Sequence, residues 1–275
     1  MRQPPPKLFR PRIIIMRHSE RVDAVLQEPD WPAAAFINGV YSPHRTQLPT
    51  VLPFRADPYE HVLDTPLTRY GKAHAHRTGE FFRSIGLIPD IVYSSPAMRC
   101  VQTADAVLEG AKVRRRNPIR IDLALHEPIR RELPIQSAGF FSAAGFNVDL
   151  HYRPILPGND PGILLGESRL QYYRRTHLVL KRITDGVFQK RRKMTANPTI
   201  LVVAHRASVP LLASMLNLDY VDDQLTYLNE IENNKRREVN FLSMIIAEYD
   251  PPSHSWGFLH DFNHMRRFRQ HKRLF

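Results

Sequence analysis

The sequence predicts an α/β protein, a three-layer α/β/α sandwich built on a mainly parallel sheet. Strand-like and helix-like stretches alternate along the chain, the pattern of parallel strands joined by helices. Two strand candidates, residues 13–16 (Ile-Ile-Ile-Met) and 199–204, are short apolar runs of buried character. With 275 residues, 43% of them apolar and 24% charged, the chain is long enough for one large core. No internal repeat or long low-complexity linker divides it.

The first strand, 13–16, ends in Arg17-His18. Residues 24–66 are rich in proline and aromatics and lack periodicity, as binding loops and lids do. A helix is predicted over 71–85, opening after Thr68-Arg69-Tyr70-Gly71 and closing at Gly86. A strand over 90–94 leads through a Ser-Pro turn into a helix over 97–109, and a strand over 119–123 precedes Leu125-His126-Glu127. Residues 128–166 are irregular again. Each irregular segment follows a catalytic candidate, so both are expected to wall a substrate pocket. Helices over 167–184 and 207–216 flank the strand at 199–204, and a strand over 242–249 follows. The domain is placed at 13–250, between a basic, proline-rich segment (1–12) and a basic tail (251–275).

Composition narrows the function classes. No stretch reaches the roughly 18–20 apolar residues of a membrane span, and residues 1–11 lack the apolar centre of a signal peptide. Cys100 is the only cysteine, so there is no intramolecular disulfide and no thiol cluster for zinc. A cytoplasmic protein is expected. The 39 basic and 27 acidic residues leave a net charge of +12. Basic clusters lie at Arg114-Arg115-Arg116, at Lys190-Arg191-Arg192-Lys193 and over 266–273. Such a surface attracts nucleic acid, acidic lipid or phosphorylated substrates. Most charge runs are solvated loops, and no zinc finger or RNA-binding aromatic motif accompanies these, so nucleic acid is not the expected partner. The 190–193 cluster is a weak match to a nuclear import signal, and nuclear entry stays open.

Four short segments carry chemistry. In open α/β sheets ligands bind outside the carboxyl ends of the strands. Arg17-His18 would stand there, a fixed cation beside an imidazole, suited to a phosphate. Alone, such a pair is ordinarily solvated surface. Ser95-Pro96-Ala97-Met98-Arg99 opens a helix whose first N–H groups can bind an anion, with Arg99 in the first turn. A β-branched run ends in His205, and Glu127 follows the 119–123 strand. Taken singly, these two are a packed histidine and a loop glutamate.

Together the segments resemble the histidine phosphatase (phosphoglycerate-mutase-like) superfamily. Arg17-His18-Ser19-Glu20-Arg21-Val22-Asp23 and Ser95-Pro96-Ala97-Met98-Arg99-Cys100-Val101-Gln102-Thr103-Ala104 are similar to the Sts-type branch, which includes ecdysteroid-phosphate phosphatase and the phosphatase domains of ubiquitin-associated and SH3 domain-containing proteins. Asp64-Thr65-Pro66-Leu67-Thr68 with Gly71, Leu52-Pro53, Tyr152-Arg153-Pro154 and Glu167-Ser168 with Tyr172 extend the resemblance over about residues 13–250. It implies a phosphoglycerate-mutase-like fold and phosphomonoester hydrolysis without metal or other cofactor. His18 would be the nucleophile; Arg17, Arg21, Arg99 and His205 would bind the phosphoryl oxygens; Glu127 would be the general acid, its pKa raised by partial burial. The implied substrate is a phosphotyrosyl protein or another bulky apolar ester, and a homodimer stays open. Three positions depart from the branch: Ser19 replaces glycine, Arg206 replaces a smaller residue, and Pro128 replaces an aromatic. Ser19 and Arg206 motivate an alternative, a catalytically weak binding protein. A phosphoglycerate mutase fits less well.

Overall fold

The computed structural model describes residues 8–156, 161–191, 197–219, 221, 224–235 and 239–260. The cluster at Arg192-Lys193, the basic residues 266–273 and the first seven residues lie outside these. In chain order the elements are β1 (Arg12–Arg17), α1 (Val22–Leu26), α2 (Trp31–Ala35), β2 (Phe36–Ile37), β3 (Val40–Tyr41), α3 (Glu60–Leu63), α4 (Arg69–Ser84), β4 (Ile91–Ser94), α5 (Met98–Gly110), β5 (Ile119–Ile121), α6 (Ala138–Ala143), α7 (Arg169–Lys190), β6 (Thr199–Ala204), α8 (Ser208–Met215), α9 (Leu225–Lys235), β7 (Met244–Asp250) and β8 (Ser255–His260).

The unbroken apolar runs are explained by burial on both faces. Six strands form one sheet in the order β5-β4-β6-β1-β7-β8. The first four are parallel, and β7 and β8 complete it antiparallel. Along β1, Ile13 and Ile15 join a core with Tyr173 and Val179 of α7 and Leu211 of α8. Ile14 and Met16 join the opposite core, with Phe82 of α4 and Val101 and Ala104 of α5. The period-two alternation of a strand thereby feeds both helical layers.

The helices α4 and α5 pack backbone to backbone. A Cβ on Gly79 would run into the Val107 carbonyl, and one on Gly110 into the His76 carbonyl, so both positions need glycine for close approach.

The structure adds elements that the sequence pattern hides. Residues 22–66, which include the irregular segment 24–66, contain three short helices and a two-stranded hairpin, which close over a small core of Val22, Leu26, Trp31, Ala35 and Leu48. The third strand candidate is shorter than 119–123. It stops at Ile121, and Asp122 caps a 3-10 turn, Leu123–Leu125, by accepting from the Ala124 N–H (2.9 Å). The sheet also continues past Asp250 into β8, within the segment read as a tail, where Trp256 packs edge-on against Tyr249 and Phe188. Among the described residues no helix is long and apolar enough to cross a membrane.

Candidate active site

The carboxyl ends of β1, β4 and β6 lie side by side and carry His18, Ser95 and His205. In the parallel register Arg17 stands opposite Ala204, and the His18 N–H donates to the Ala204 carbonyl (2.9 Å). The two imidazoles therefore emerge together, with ring centroids 5.8 Å apart. Nδ1 of His18 lies 2.8 Å from the Ser19 carbonyl oxygen. A carbonyl only accepts, so the ring hydrogen is on Nδ1 and the lone pair is on Nε2. Burial and the charges of Arg99, His205 and Arg17 hold the His18 pKa well below its ordinary value. His18 is thus neutral, with a defined nucleophilic nitrogen.

Arg99 projects from the first turn of α5 and is almost wholly buried. Its Nη2 donates to Glu127 Oε1 (2.6 Å) and lies 3.2 Å from His205 Nδ1. Glu127 Oε1 is also 3.3 Å from His205 Nδ1, and His205 Nε2 is 2.8 Å from Ser95 Oγ. Arg17 donates through Nη1 to the Val239 carbonyl (2.9 Å), and its guanidinium stacks 4.2 Å over the Phe241 ring. Burial, with Arg206 and Arg21 nearby, lowers the Arg17 pKa to about 10, and it remains a cation at neutral pH. Arg21 places Nε 2.9 Å from Asp23 Oδ1, and its charge reaches both Arg17 and His205. The structure brings Arg17, His18, Arg99, Glu127 and His205 together, with Arg21 at the edge.

Two expectations need correction. The start of α5 is not an open anion site: the Met98 N–H donates to Asp64 Oδ1 (2.8 Å). Asp64, from the Asp-Thr-Pro-Leu-Thr segment, also accepts from Arg55 Nη2 (2.6 Å), so its carboxylate occupies the helix end. The expected upward pKa shift of Glu127 is also reversed. Burial pushes the carboxyl up, but His205, Arg99 and His126 together outweigh it and hold Glu127 well below the usual carboxylate range.

Several supporting residues have no sequence signal of their own. His126 is buried, its Nδ1 donates to the Glu127 carbonyl (2.8 Å), and its ring lies 5.0 Å from that of His205. Burial lowers its pKa to about 3. Arg175 of α7 donates through Nη1 to the Ala124 and His126 carbonyls (2.7 and 3.0 Å), and Glu167 grips the same guanidinium at 2.7 and 2.5 Å. This clamp fixes the turn that presents Glu127.

The departures from the branch resolve differently. Ser19 is fully buried and faces away from the imidazoles. Its Oγ donates to the Gly71 carbonyl (2.8 Å), and its N–H donates to Thr103 Oγ1 (2.9 Å). Arg206 is exposed at the rim and acts electrostatically on Arg17. Pro128 lines a groove with residues 129–130 and 165–167, which begins one residue after Glu127 in the chain. Residues 49–53 line a different cavity, of about 640 Å³, against α4 and α5. Burial pushes the Cys100 thiol up to about 12, which removes it as a nucleophile at neutral pH.

Residues 55–229 match the histidine phosphatase superfamily (branch 1). The chain is similar to ecdysteroid-phosphate phosphatase of Drosophila melanogaster, 32% identical over 211 residues, 74% of this chain and 27% of that protein. It is also similar to human ubiquitin-associated and SH3 domain-containing protein B, 31% identical over 204 residues, 72% of this chain and 30% of that protein. The chain thus spans less than a third of the length of these relatives. The crystal structure of the ecdysone phosphate phosphatase of Bombyx mori in complex with tungstate has the same fold. Its TM-score is 0.72 at 23% identity, covering 92% of this chain and 93% of that one.

Proposed function

The chain belongs to the histidine phosphatase superfamily (branch 1), and we propose that it hydrolyses phosphate monoesters through a phosphohistidine at His18. The observation that carries this reading is the fixed lone pair on His18 Nε2, set beside Arg17, Arg99 and His205 at the strand ends. The Nε2 lone pair attacks phosphorus, and the ester P–O bond breaks with its electron pair passing to the leaving oxygen. Arg17, Arg21, Arg99 and His205 hold the three non-bridging oxygens. Phosphoryl transfer of this kind is largely dissociative, so positioning and charge stabilisation supply most of the acceleration. Arginine suits the task because its planar guanidinium can make paired bonds to phosphate.

Glu127 protonates the leaving oxygen and then takes a proton from the water that attacks the phosphohistidine. Its lowered pKa makes it a carboxylate at neutral pH. A phosphate dianion lodged between Arg99 and Glu127 competes for the guanidinium and repels the carboxylate, and both effects raise its proton affinity. A substrate arriving as the monoanion brings the proton with it. The substrate is a phosphotyrosine-like or other bulky apolar ester. This is supported by the similarity to a relative named for an ecdysteroid phosphate.

The test is hydrolysis of an aryl phosphate, in the presence of a chelator, by wild type and His18→Ala. Wild type turns over and forms an acid-labile, alkali-stable phosphoenzyme, and the variant does neither. Equal turnover by the two folded proteins rules out His18 as the nucleophile.

A further inference from the structure

A groove of about 630 Å³ opens one residue beyond Glu127, with Pro128, Ile129, Leu165 and Tyr172 as apolar walls and Arg130 and Arg169 as cations. Its two sides are stitched together. Ile129 pairs with Leu165 in an isolated parallel bridge, and the Gly166 N–H points at the Ile129 carbonyl (3.4 Å). Tyr172 joins this wall to the catalytic strands, because its Oη lies 3.0 Å from Ser208 Oγ, three residues past His205. Among the described residues the groove holds one acid, Glu167, whose charge is cancelled by the two-point pair with Arg175. Among the described residues no carboxylate pairs with either arginine. Arg130 is exposed, and Arg169 is exposed and donates to Asn229 Oδ1 (3.3 Å), an uncharged acceptor.

We propose that this groove receives the leaving group of the substrate and selects an apolar, aryl-type group that carries an acidic substituent. The inference rests on the hydrolase reading above. A general acid must stand at the leaving oxygen, so the rest of the leaving group departs past Glu127, and the residues that follow Glu127 form the groove. Apolar walls take the ring, and the two guanidinium groups pair with the carboxylate or a second phosphate.

Two probes share the aryl phosphate, one with an anionic and one with a neutral para substituent: 4-(carboxymethyl)phenyl phosphate and its methyl ester. Wild type is expected to favour the acid over the ester about tenfold in kcat/KM, each exposed arginine contributing about two- to fivefold. Arg130→Ala and Arg169→Ala each reduce that preference, and Arg169→Glu reverses it. Arg83→Ala, a control on the exposed side of α4, leaves the preference as it is. The preference also shrinks with added salt. Binding of both probes to His18→Ala, followed by calorimetry, separates this inference from the chemistry. Tighter binding of the acid supports the groove whether or not hydrolysis is seen. Equal binding and equal turnover of acid and ester overturn it, while turnover that vanishes in His18→Ala keeps the phosphohistidine reading intact.

Discussion

His18 and His126 are neutral because burial denies them a proton, and this couples the site to the stability of the fold in acid. A histidine whose folded-state pKa lies below its unfolded value of 6.5 contributes fully above that pH. The contribution drains away as pH falls toward the folded value. For His126, between 6.5 and about 3, the loss from pH 6.5 to 5.5 is about 1 kcal/mol, or roughly 3 °C in Tm for a chain of this size. The Tm of His126→Phe is therefore expected to fall less over that interval than wild type; identical falls would remove His126 as the cause. Glu127 works in the other window. Its pKa is depressed, so its contribution is present above about 4.5 and fades only as pH drops through the lower folded value. Ser19 gives a separate prediction. Ser19→Ala loses the buried bond to the Gly71 carbonyl and is expected to cost about 1 kcal/mol with little change in KM for an aryl phosphate, since the hydroxyl faces away from His18. A large rise in KM would contradict that orientation. Arg17, His18 and His205 were legible because each stands at the end of a short apolar strand, and Arg99 because a Ser-Pro turn opens its helix. The clamp by Arg175 was not, because its partners are backbone carbonyls at Ala124 and His126 that no side-chain pattern advertises.

Among elements, the join between β4 and α5 shows most clearly what a local pattern contains and omits. The strand, the Ser-Pro turn and the helix are all readable from residues 91–110, yet the cap on α5 comes from Asp64, 34 residues before Met98. The carboxylate that stabilises this helix end also pairs with buried Arg55, so Asp64→Ala strips a cap and leaves that guanidinium, among the described residues, only its longer pair with Glu60 (3.7 Å). The expected loss is about 3–5 kcal/mol by chemical denaturation; a loss under about 1 kcal/mol would show that the pair is replaceable. The α4–α5 contact is the second case. Gly79→Ala forces the helices apart because the obstacle is backbone, at the Val107 carbonyl, and it is expected to cost about 1–3 kcal/mol rather than stabilise the helix as Ala for Gly otherwise does. An unchanged or raised midpoint would count against that packing.

Across the whole molecule, one sheet with a helical layer on each face holds the strand ends in register, and its far edge is part of that support. β8 and Trp256 close the aromatic group of Phe188 and Tyr249 beyond the boundary expected at residue 250. Trp256→Ala should lower stability by about 3–5 kcal/mol, and a chain ending at Asp250 should unfold at a lower temperature still; a truncated chain as stable as the full one would show that β8 adds nothing to the fold. The sequence by itself determined the sheet-and-helix order, the buried parallel strands and the residue types of the site. Those follow from hydrophobic periodicity and from contiguous motifs, which are local. Only the tertiary structure decided that Glu127 is a carboxylate, that Asp64 closes the start of α5, and that Ser19 turns from the site toward Gly71. Each depends on groups distant in sequence, whose charges and hydrogen bonds act through space over a few ångströms and leave no trace in the order of residues along the chain.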